Sequence, residues 1–349
     1  MAKIDALFKI LKDKGGSDLH LSPANPPLIR RSGDLEPVID RPIGRDQIKA
    51  LLYEIMSEAQ RQSFEATHDL DFAYEVPALE SRFRANIFMG RLGISAVFRL
   101  IPGTILTAEQ LGLVSGVLNF TSFKKGLVLV TGPTGSGKST TLAAMIDHVN
   151  KTRKEHILTV EDPVEFVHTS QQSLINQREV GRHTESFAAA LKAALREDPD
   201  LILVGEMRDL ETIELAITAA ETGHLVFGTL HTNSAAKTVD RIINVFPTNQ
   251  QEQIRAMLAE SLRGVICQQL LRTVDGKRCA AMEILSVTSA VSNLIREGKT
   301  FQIPSIIQTG RAQGMQLMDQ AIQDLLADGR ISREEAYKYA TNKTLFQEG

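Results

Sequence analysis

The sequence predicts an α/β protein with two domains, a small α+β domain followed by an α/β domain with a parallel sheet. The chain has 349 residues, which exceeds what one hydrophobic core usually serves. Segments of alternating polarity occur up to residue 100, whereas apolar segments alternate with helical patterns from residue 121 onward. We therefore expect an N-terminal domain at 1–100, a linker at 101–120 and a second domain with C-terminal helices at 121–349.

The elements of the first domain follow from local periodicity. Apolar residues with helical spacing predict an amphipathic helix over Ala2–Lys14, and Arg45–Ala66 is predicted as a second helix. Alternating patterns predict strands at Asp18–Leu21, Asp71–Tyr74, Ser81–Phe88 and Ile94–Leu100. Because the connections are too short for crossovers, we expect mostly antiparallel pairing. Pro102 is expected to end the last strand.

The second domain has apolar strands separated by helices, which is typical of a parallel sheet covered on both faces. The predicted strands are Leu127–Thr131, His156–Glu161, Asp200–Val204 and Leu225–Thr229. A helix is predicted over Thr140–Ile146, and two amphipathic helices are predicted at Gln250–Cys267 and Met315–Leu326.

The composition favours a soluble protein that stays in the cytoplasm. The net charge of −3 offers no overall attraction to nucleic acid or anionic lipid. No apolar run reaches the ~18 residues of a membrane span, and the first residues lack the pattern of a signal peptide. Aromatic residues make up only 5% of the chain, which weakens any base-stacking surface. We therefore expect neither direct nucleic-acid binding nor insertion into a membrane.

A glycine-rich run connects the first strand of the second domain to its helix. Its sequence, GPTGSGKS, matches a P-loop in the required context. The glycines let backbone N–H groups surround a phosphate chain, and the helix adds its positive N-terminal dipole. Lys138 is expected to reach the β- and γ-phosphates, and Ser139 to contact Mg²⁺. The expected nucleotide-binding residues are Gly132, Pro133, Thr134, Gly135, Ser136, Gly137, Lys138, Ser139 and Thr140.

Two later strand ends supply candidate acids for hydrolysis. Glu206 follows the apolar strand Asp200–Val204 and a glycine, and it is the first candidate for orienting the attacking water or contacting Mg²⁺, partly through water. Its alternative role is that of an acidic residue at a helix N-terminus. Glu161 ends the strand before it and is the second candidate, although a Glu-Asp-Pro turn taken alone is more often surface structure.

Two histidines flank the fourth predicted strand. His231 follows its C-terminal end, where ligands bind in parallel sheets. Its imidazole could sense a γ-phosphate, or it could be a structural residue satisfied within the fold. His224 lies at the opposite end and could instead bond between chains.

Together and in this order, the segments resemble the motifs of the secretion and pilus ATPases. The P-loop, Glu161–Glu165, Leu203–Asp209 and Gly223–His231 look like that family's Walker A, Asp box, Walker B and His box. The resemblance covers essentially the whole chain. It implies a PAS-like N-terminal domain joined to a RecA-like P-loop ATPase domain, ATP and Mg²⁺ as cofactors, and a ring-shaped homo-hexamer.

Within the family, the chain is similar to the pilus retraction motors. Ser17–Ser22 looks like the start of their first domain, and Ala290–Glu297 resembles a segment linked to retraction, with departures at Val291 and Ser292. The resemblance implies ATP hydrolysis that powers type IV pilus retraction, or twitching motility. It also implies an inner-membrane platform protein as partner, with the ATPase on the cytoplasmic side.

The resemblance also singles out two arginines of the first domain. Arg84 and Arg99 match the family's arginines that reach the γ-phosphate when the two domains close. They lie on adjacent predicted strands, where solvated side chains would be the ordinary interpretation. Arg82 and Arg91 are weaker alternates.

Two other functions are compatible with a P-loop and strand-end acids. A nucleic-acid translocating RecA-like ATPase would share these motifs, but the net charge and the scarce aromatic residues count against it. A nucleotide-gated scaffold would bind ATP with little turnover. Stimulation by DNA would indicate the first, and negligible turnover with Mg²⁺ would indicate the second.

Overall fold

Two units make up the structure, a computed structural model that describes residues 2–31, 33–101 and 103–347. The first unit runs to Thr104 and includes Glu165–Val167, and the second contains the rest of the chain. Pro102, expected to end a strand, lies outside the described residues. The linker at 101–120 stays a prediction, and its residues from Ile105 onward group with the second unit. Val117 and Phe120 are buried in that unit's core, so this segment is held by apolar packing.

The first unit is built on an antiparallel sheet. Its helices and strands are α1 (Asp5–Asp13), α2 (Arg45–Ile55), α3 (Glu58–Thr67), β1 (Asp18–Leu21), β2 (Leu28–Arg31), β3 (Asp34–Pro37), β4 (Asp69–Val76), β5 (Ser81–Gly90) and β6 (Gly93–Ile101). The described strands form a six-stranded sheet in the order β3-β2-β1-β6-β5-β4, and its neighbouring strands pair antiparallel. The predicted pairing is confirmed.

Helix α1 covers the core of the first unit with its apolar face. The ring centroid of Phe8 lies 4.1 Å from that of Phe83 and 4.9 Å from that of Phe98, and all three side chains are fully buried. The single helix predicted over Arg45–Ala66 is wrong, because the chain becomes extended at Met56. Ser57 then caps α3 by accepting a hydrogen bond from the backbone N–H of Gln60.

The second unit is a sheet with helices packed around it. Its strands are β7 (Gly126–Thr131), β8 (His156–Glu161), β9 (Leu174–Glu179), β10 (Leu201–Val204), β11 (Leu225–Leu230), β12 (Leu262–Arg272) and β13 (Arg278–Ser286). Its helices are α4 (Ser115–Asn119), α5 (Lys138–Thr152), α6 (Phe187–Ala194), α7 (Leu210–Thr222), α8 (Ala235–Val245), α9 (Gln251–Ser261), α10 (Ser289–Arg296), α11 (Ile303–Thr309), α12 (Met318–Ala327) and α13 (Arg333–Tyr339). Across the described ranges, no helix is long and apolar enough to cross a membrane.

The order of strands in this sheet positions the candidate site. The order is β13-β12-β7-β11-β10-β8-β9, with parallel neighbours throughout the described sheet apart from the antiparallel β12-β13 pair. Strands β7, β8, β10 and β11 correspond to the four predicted strands within one residue at each end. Because they are parallel, their carboxyl ends lie at one edge of the sheet.

The helix predicted over Gln250–Cys267 is wrong in its second half. Helix α9 ends at Ser261, and the chain turns extended at Leu262 to enter β12. The residues from Gly264 to Gln268 are buried without interruption, so they carry no alternation that would separate a buried strand from a buried helix. Strands β9, β12 and β13 were not predicted.

Candidate active site

The predicted P-loop connects the end of β7 to the start of α5. Every residue of β7 is buried, and Gly137, with φ 87°, forms the N-cap of the helix. A Cβ atom at Gly132 would lie 2.3 Å from the backbone oxygen of Gln268, and one at Gly137 would lie 2.8 Å from its Nε2 atom. The glycines at these two positions are therefore required both by positive φ and by the close approach of β12.

Lys138 lies at the start of α5 with its side chain folded over the loop. Its Nζ atom donates hydrogen bonds to the backbone oxygens of Gly132, at 2.8 Å, and Pro133, at 3.1 Å. Pro133, Thr134 and Gly135 form the exposed tip of the loop, while Ser139 and Thr140 are half-buried in the first turn of the helix. The N-terminus of α5 therefore presents backbone N–H groups and an ammonium group at the same end.

Glu206 lies just beyond β10, at the same edge of the sheet. The hydroxyl of Thr229 donates a hydrogen bond of 2.5 Å to the backbone oxygen of Gly205, which ties this turn to β11. Oε1 of Glu206 lies 2.5 Å from Nε of Arg208 and accepts a hydrogen bond of 2.9 Å from Nε2 of His231. The structure thus brings together two residues that were predicted separately.

The surroundings of Glu206 favour its ionised form. Partial burial raises the pKa of this carboxyl, but the hydrogen bond and positive charge of Arg208, together with His231, outweigh burial. The pKa of Glu206 therefore lies below its ordinary value. The side chain is only 20% exposed, so this anion is held in a defined position at the strand ends.

Glu161 occupies the end of β8, beside the turn that carries Glu206. Val160 and Val204 are register partners in the parallel β8-β10 pair, so the two acids follow neighbouring strands. Oε1 of Glu161 accepts hydrogen bonds from the hydroxyl of Thr159, at 2.7 Å, and from Nε2 of Gln177, at 3.3 Å. A strand that was not predicted, β9, therefore helps to hold this carboxylate.

His224 lies at the far end of β11 and bonds within its own unit. Its Nδ1 atom is 3.0 Å from the backbone oxygen of Ala219, near the C-terminus of α7. The same oxygen also accepts from the backbone N–H groups of Gly223 and His224, so the ring is part of the C-terminal cap of α7. A bond from His224 to another copy of the chain stays a prediction.

Arg84 and Arg99 lie opposite each other on β5 and β6 of the first unit. Nε of Arg99 donates a hydrogen bond of 2.8 Å to Oδ1 of Asp18, whereas Nε of Arg84 lies 3.8 Å from Oδ1 of Asp71. Burial raises the pKa of Asp18, but hydrogen bonds from Ser17 and Arg99 outweigh it, and the pKa lies below its ordinary value. The two guanidinium groups therefore share one exposed sheet face as cross-strand neighbours.

Sequence reasoning missed three residues that bond to the predicted site. Arg208 and Gln177 hold the two candidate acids, and Gln268 holds the P-loop from β12. Arg208 could have been found from the sequence, because it lies two residues after Glu206 in the same turn. The sequence signal for Gln268 is weaker. This residue interrupts an otherwise apolar segment, but only the strand pairing brings it to the loop.

Comparison with known proteins assigns the family. The sequence profile described as "Type II/IV secretion system protein" matches residues 3–349. The chain belongs to this family. It is 54% identical to the type IV pilus retractation ATPase PilT of Pseudomonas aeruginosa over 337 residues, which is 97% of this chain and 98% of that protein. It is also 54% identical to a twitching motility protein of Neisseria gonorrhoeae over 317 residues, 90% of this chain and 84% of that protein.

A solved structure of the same family supports the fold. The crystal structure of the pilus retraction motor PilT with bound ADP matches with a TM-score of 0.90 and 46% identity, covering 99% of this chain and 98% of that one. The predicted fold class is confirmed, with a PAS-like α+β domain followed by a RecA-like P-loop domain.

Proposed function

We propose that this protein is an ATP-hydrolysing motor that powers retraction of type IV pili. The observation that carries hydrolysis is the presence of the P-loop, Glu161 and Glu206 at one edge of a parallel sheet. The similarity to PilT of Pseudomonas aeruginosa over nearly the full length of both chains supports the role in pilus retraction.

In this proposal, the P-loop binds the phosphates of ATP and Glu206 directs the attack. The backbone N–H groups at the start of α5 and the ammonium group of Lys138 offset the charge of the phosphates. Glu206, ionised and held by Arg208 and His231, orients the attacking water in line with the γ-phosphate. Its carboxylate is an acceptor for that water's hydrogen atoms.

The donor set also fits Mg²⁺. Ser139 offers a half-buried hydroxyl in the first turn of α5, and Glu206 offers a carboxylate, both of which are hard oxygen ligands. We propose that these two residues hold the ion, partly through water. When bound, Mg²⁺ supplies positive charge to the phosphate oxygens.

The remaining predicted residues connect hydrolysis to motion. Arg84 and Arg99 would act as arginine fingers on the γ-phosphate, making turnover depend on domain arrangement. Glu161 and His231 would link the phosphate state to the strand ends that carry them. We further propose a homo-hexamer on the cytoplasmic side of the inner membrane, acting on a platform protein of the pilus machinery.

Turnover of the purified protein tests the enzymatic part. We expect ATP hydrolysis that requires Mg²⁺ and is not stimulated by DNA. Glu206→Gln should lower turnover about 100-fold or more while ATP still binds, because the amide keeps one acceptor oxygen but loses the second and the negative charge that orients the water. Glu211→Gln is the matched control, since Glu211 is an exposed acid on α7 paired with Lys192. Negligible turnover of the parent, unchanged by Glu206→Gln, would contradict the motor.

The number of pili on cells tests the role in pilus retraction. In cells that lack this protein, we expect retained pili that do not retract and a loss of twitching. The same result is expected when Glu206→Gln is the only copy. Bald cells would indicate extension instead of retraction.

A further inference from the structure

Gln268 is a buried residue next to the P-loop that has no place in the roles above. It follows the register pair formed by Cys267 of β12 and Thr131 of β7, so it lies beside Gly132 where the loop begins. Only 2% of Gln268 is exposed. A buried amide must have hydrogen-bond partners, and the loop and helix α5 supply them.

Both ends of the Gln268 amide are bonded around the loop. Nε2 donates a hydrogen bond of 2.7 Å to the backbone oxygen of Ser136, and Oε1 accepts one of 2.7 Å from the hydroxyl of Thr141. The reversed amide would put two acceptor oxygens together at Ser136, so the orientation is fixed by chemistry. Gln268 thereby connects the loop to the first turns of α5.

The bond to Ser136 determines the direction of a peptide plane. In a planar trans peptide, the C=O and the following N–H point in opposite directions. Because Gln268 draws the Ser136 oxygen toward β12, the N–H of Gly137 points away from β12. Successive N–H groups turned the same way at a helix N-terminus form the anion-binding arrangement on which a P-loop depends.

We propose that Gln268 is a positioning residue that sets the Ser136–Gly137 peptide for phosphate binding. The inference rests on the proposed function, because it assumes that the loop binds a nucleotide. Gln268 acts through the loop and does not contact the reacting atoms. Its effect should appear in affinity for the di- and triphosphate alike.

Two substitutions of Gln268 and a control substitution at the next residue test this role. Gln268→Leu removes both hydrogen bonds and leaves a buried carbonyl oxygen without a donor. We expect its Kd for ADP and for a non-hydrolysable ATP analogue to rise about 10-fold or more, and KM to rise with them while kcat changes little. Gln269→Leu is the matched control, since the next residue on a strand faces the other side of the sheet.

Gln268→Glu adds a readout that a merely structural role would not move. Burial raises the pKa of the introduced carboxyl, so the pH series extends to alkaline values; above that pKa the carboxylate would face the Ser136 oxygen without a hydrogen to donate, and affinity should fall. As the pH is lowered, protonation restores a donor, and the Kd ratio of variant to parent at each pH should fall back toward one. If Gln268→Leu does not fold, this pH-dependent recovery decides the matter.

The outcomes separate the inference from the proposed function. Gln268→Leu with the Kd of the parent, or Gln268→Glu with a Kd ratio that does not vary with pH, overturns the positioning role alone. A parent protein that binds neither nucleotide overturns the proposed function and this inference with it.

Discussion

The strand ends of the second unit and the arginine pair of the first unit are held in different ways. Lys138 and Glu206 bond to backbone oxygens and to side chains of neighbouring turns, and the Glu206 side chain is 20% exposed. The side chains of Arg84 and Arg99 are 46% and 69% exposed, and each faces one carboxylate across the sheet. The ion pair of Arg84 is exposed on both sides, and such pairs contribute at most about 1 kcal/mol, so redirecting Arg84 costs little. Arg99 is held more firmly, because its partner Asp18 is only 5% exposed.

In the proposed function, this difference corresponds to a division of labour. Nucleotide binding would depend on groups that are already positioned within one unit, which lowers the entropy cost of binding. Arg84 is weakly held, as expected for a group that is recruited only in one state of a motor, and Arg99 would have to exchange its bond to Asp18 for the phosphate. Affinity would then depend on the second unit, and control of turnover on the first.

The largest effect is expected at Lys138. Lys138→Ala removes the ammonium group from the phosphates, and losing one partner of a buried charged contact costs about 2 kcal/mol or more, so Kd for ATP should rise at least about 30-fold. Hydrolysis should disappear with it. Direct binding measurements check this, with Lys151→Ala as control, because Lys151 is on the same helix and pairs with Asp147. Unchanged affinity would contradict the assignment of this loop as the nucleotide site.

A smaller effect on activity is expected at Arg208, which tests how Glu206 is held within the second unit. Arg208 lowers the pKa of Glu206, and in the proposed function activity should be lost as the pH falls through that pKa. Removing the guanidinium in Arg208→Ala raises the pKa, so the acid limb of kcat/KM against pH should move to higher pH. Arg208→Lys keeps the charge and should move it less. An acid limb that stays in place or moves to lower pH would show that Arg208 does not tune Glu206.

Much of the fold and part of the site could be predicted from the sequence. The P-loop is a local pattern with a local cause, since its glycines satisfy positive φ within a few residues. Strands β7, β8, β10 and β11 were found because each is an apolar run bounded by turns. Strand β12 was not, because a segment buried on both faces has the same pattern in a strand and in a helix.

The parts of the site that were missed depend on contacts distant in sequence. Gln268 reaches Ser136 across 132 positions, and Gln177 reaches Glu161 from an unpredicted strand. Such pairs are set by strand order, which no local window contains. Arg84 and Arg99 had no local signal beyond alternation, and they were singled out only through the family resemblance.

One measurement tests the division of labour most directly: ATP affinity and turnover, determined together, in the Arg84→Ala/Arg99→Ala double variant. Arg31→Ala is the control, because it removes an exposed arginine of the same sheet that pairs with Glu36. The account predicts an affinity close to that of the parent and a turnover lower by about 100-fold or more. Parent-like turnover, or affinity lost in proportion to turnover, would contradict it.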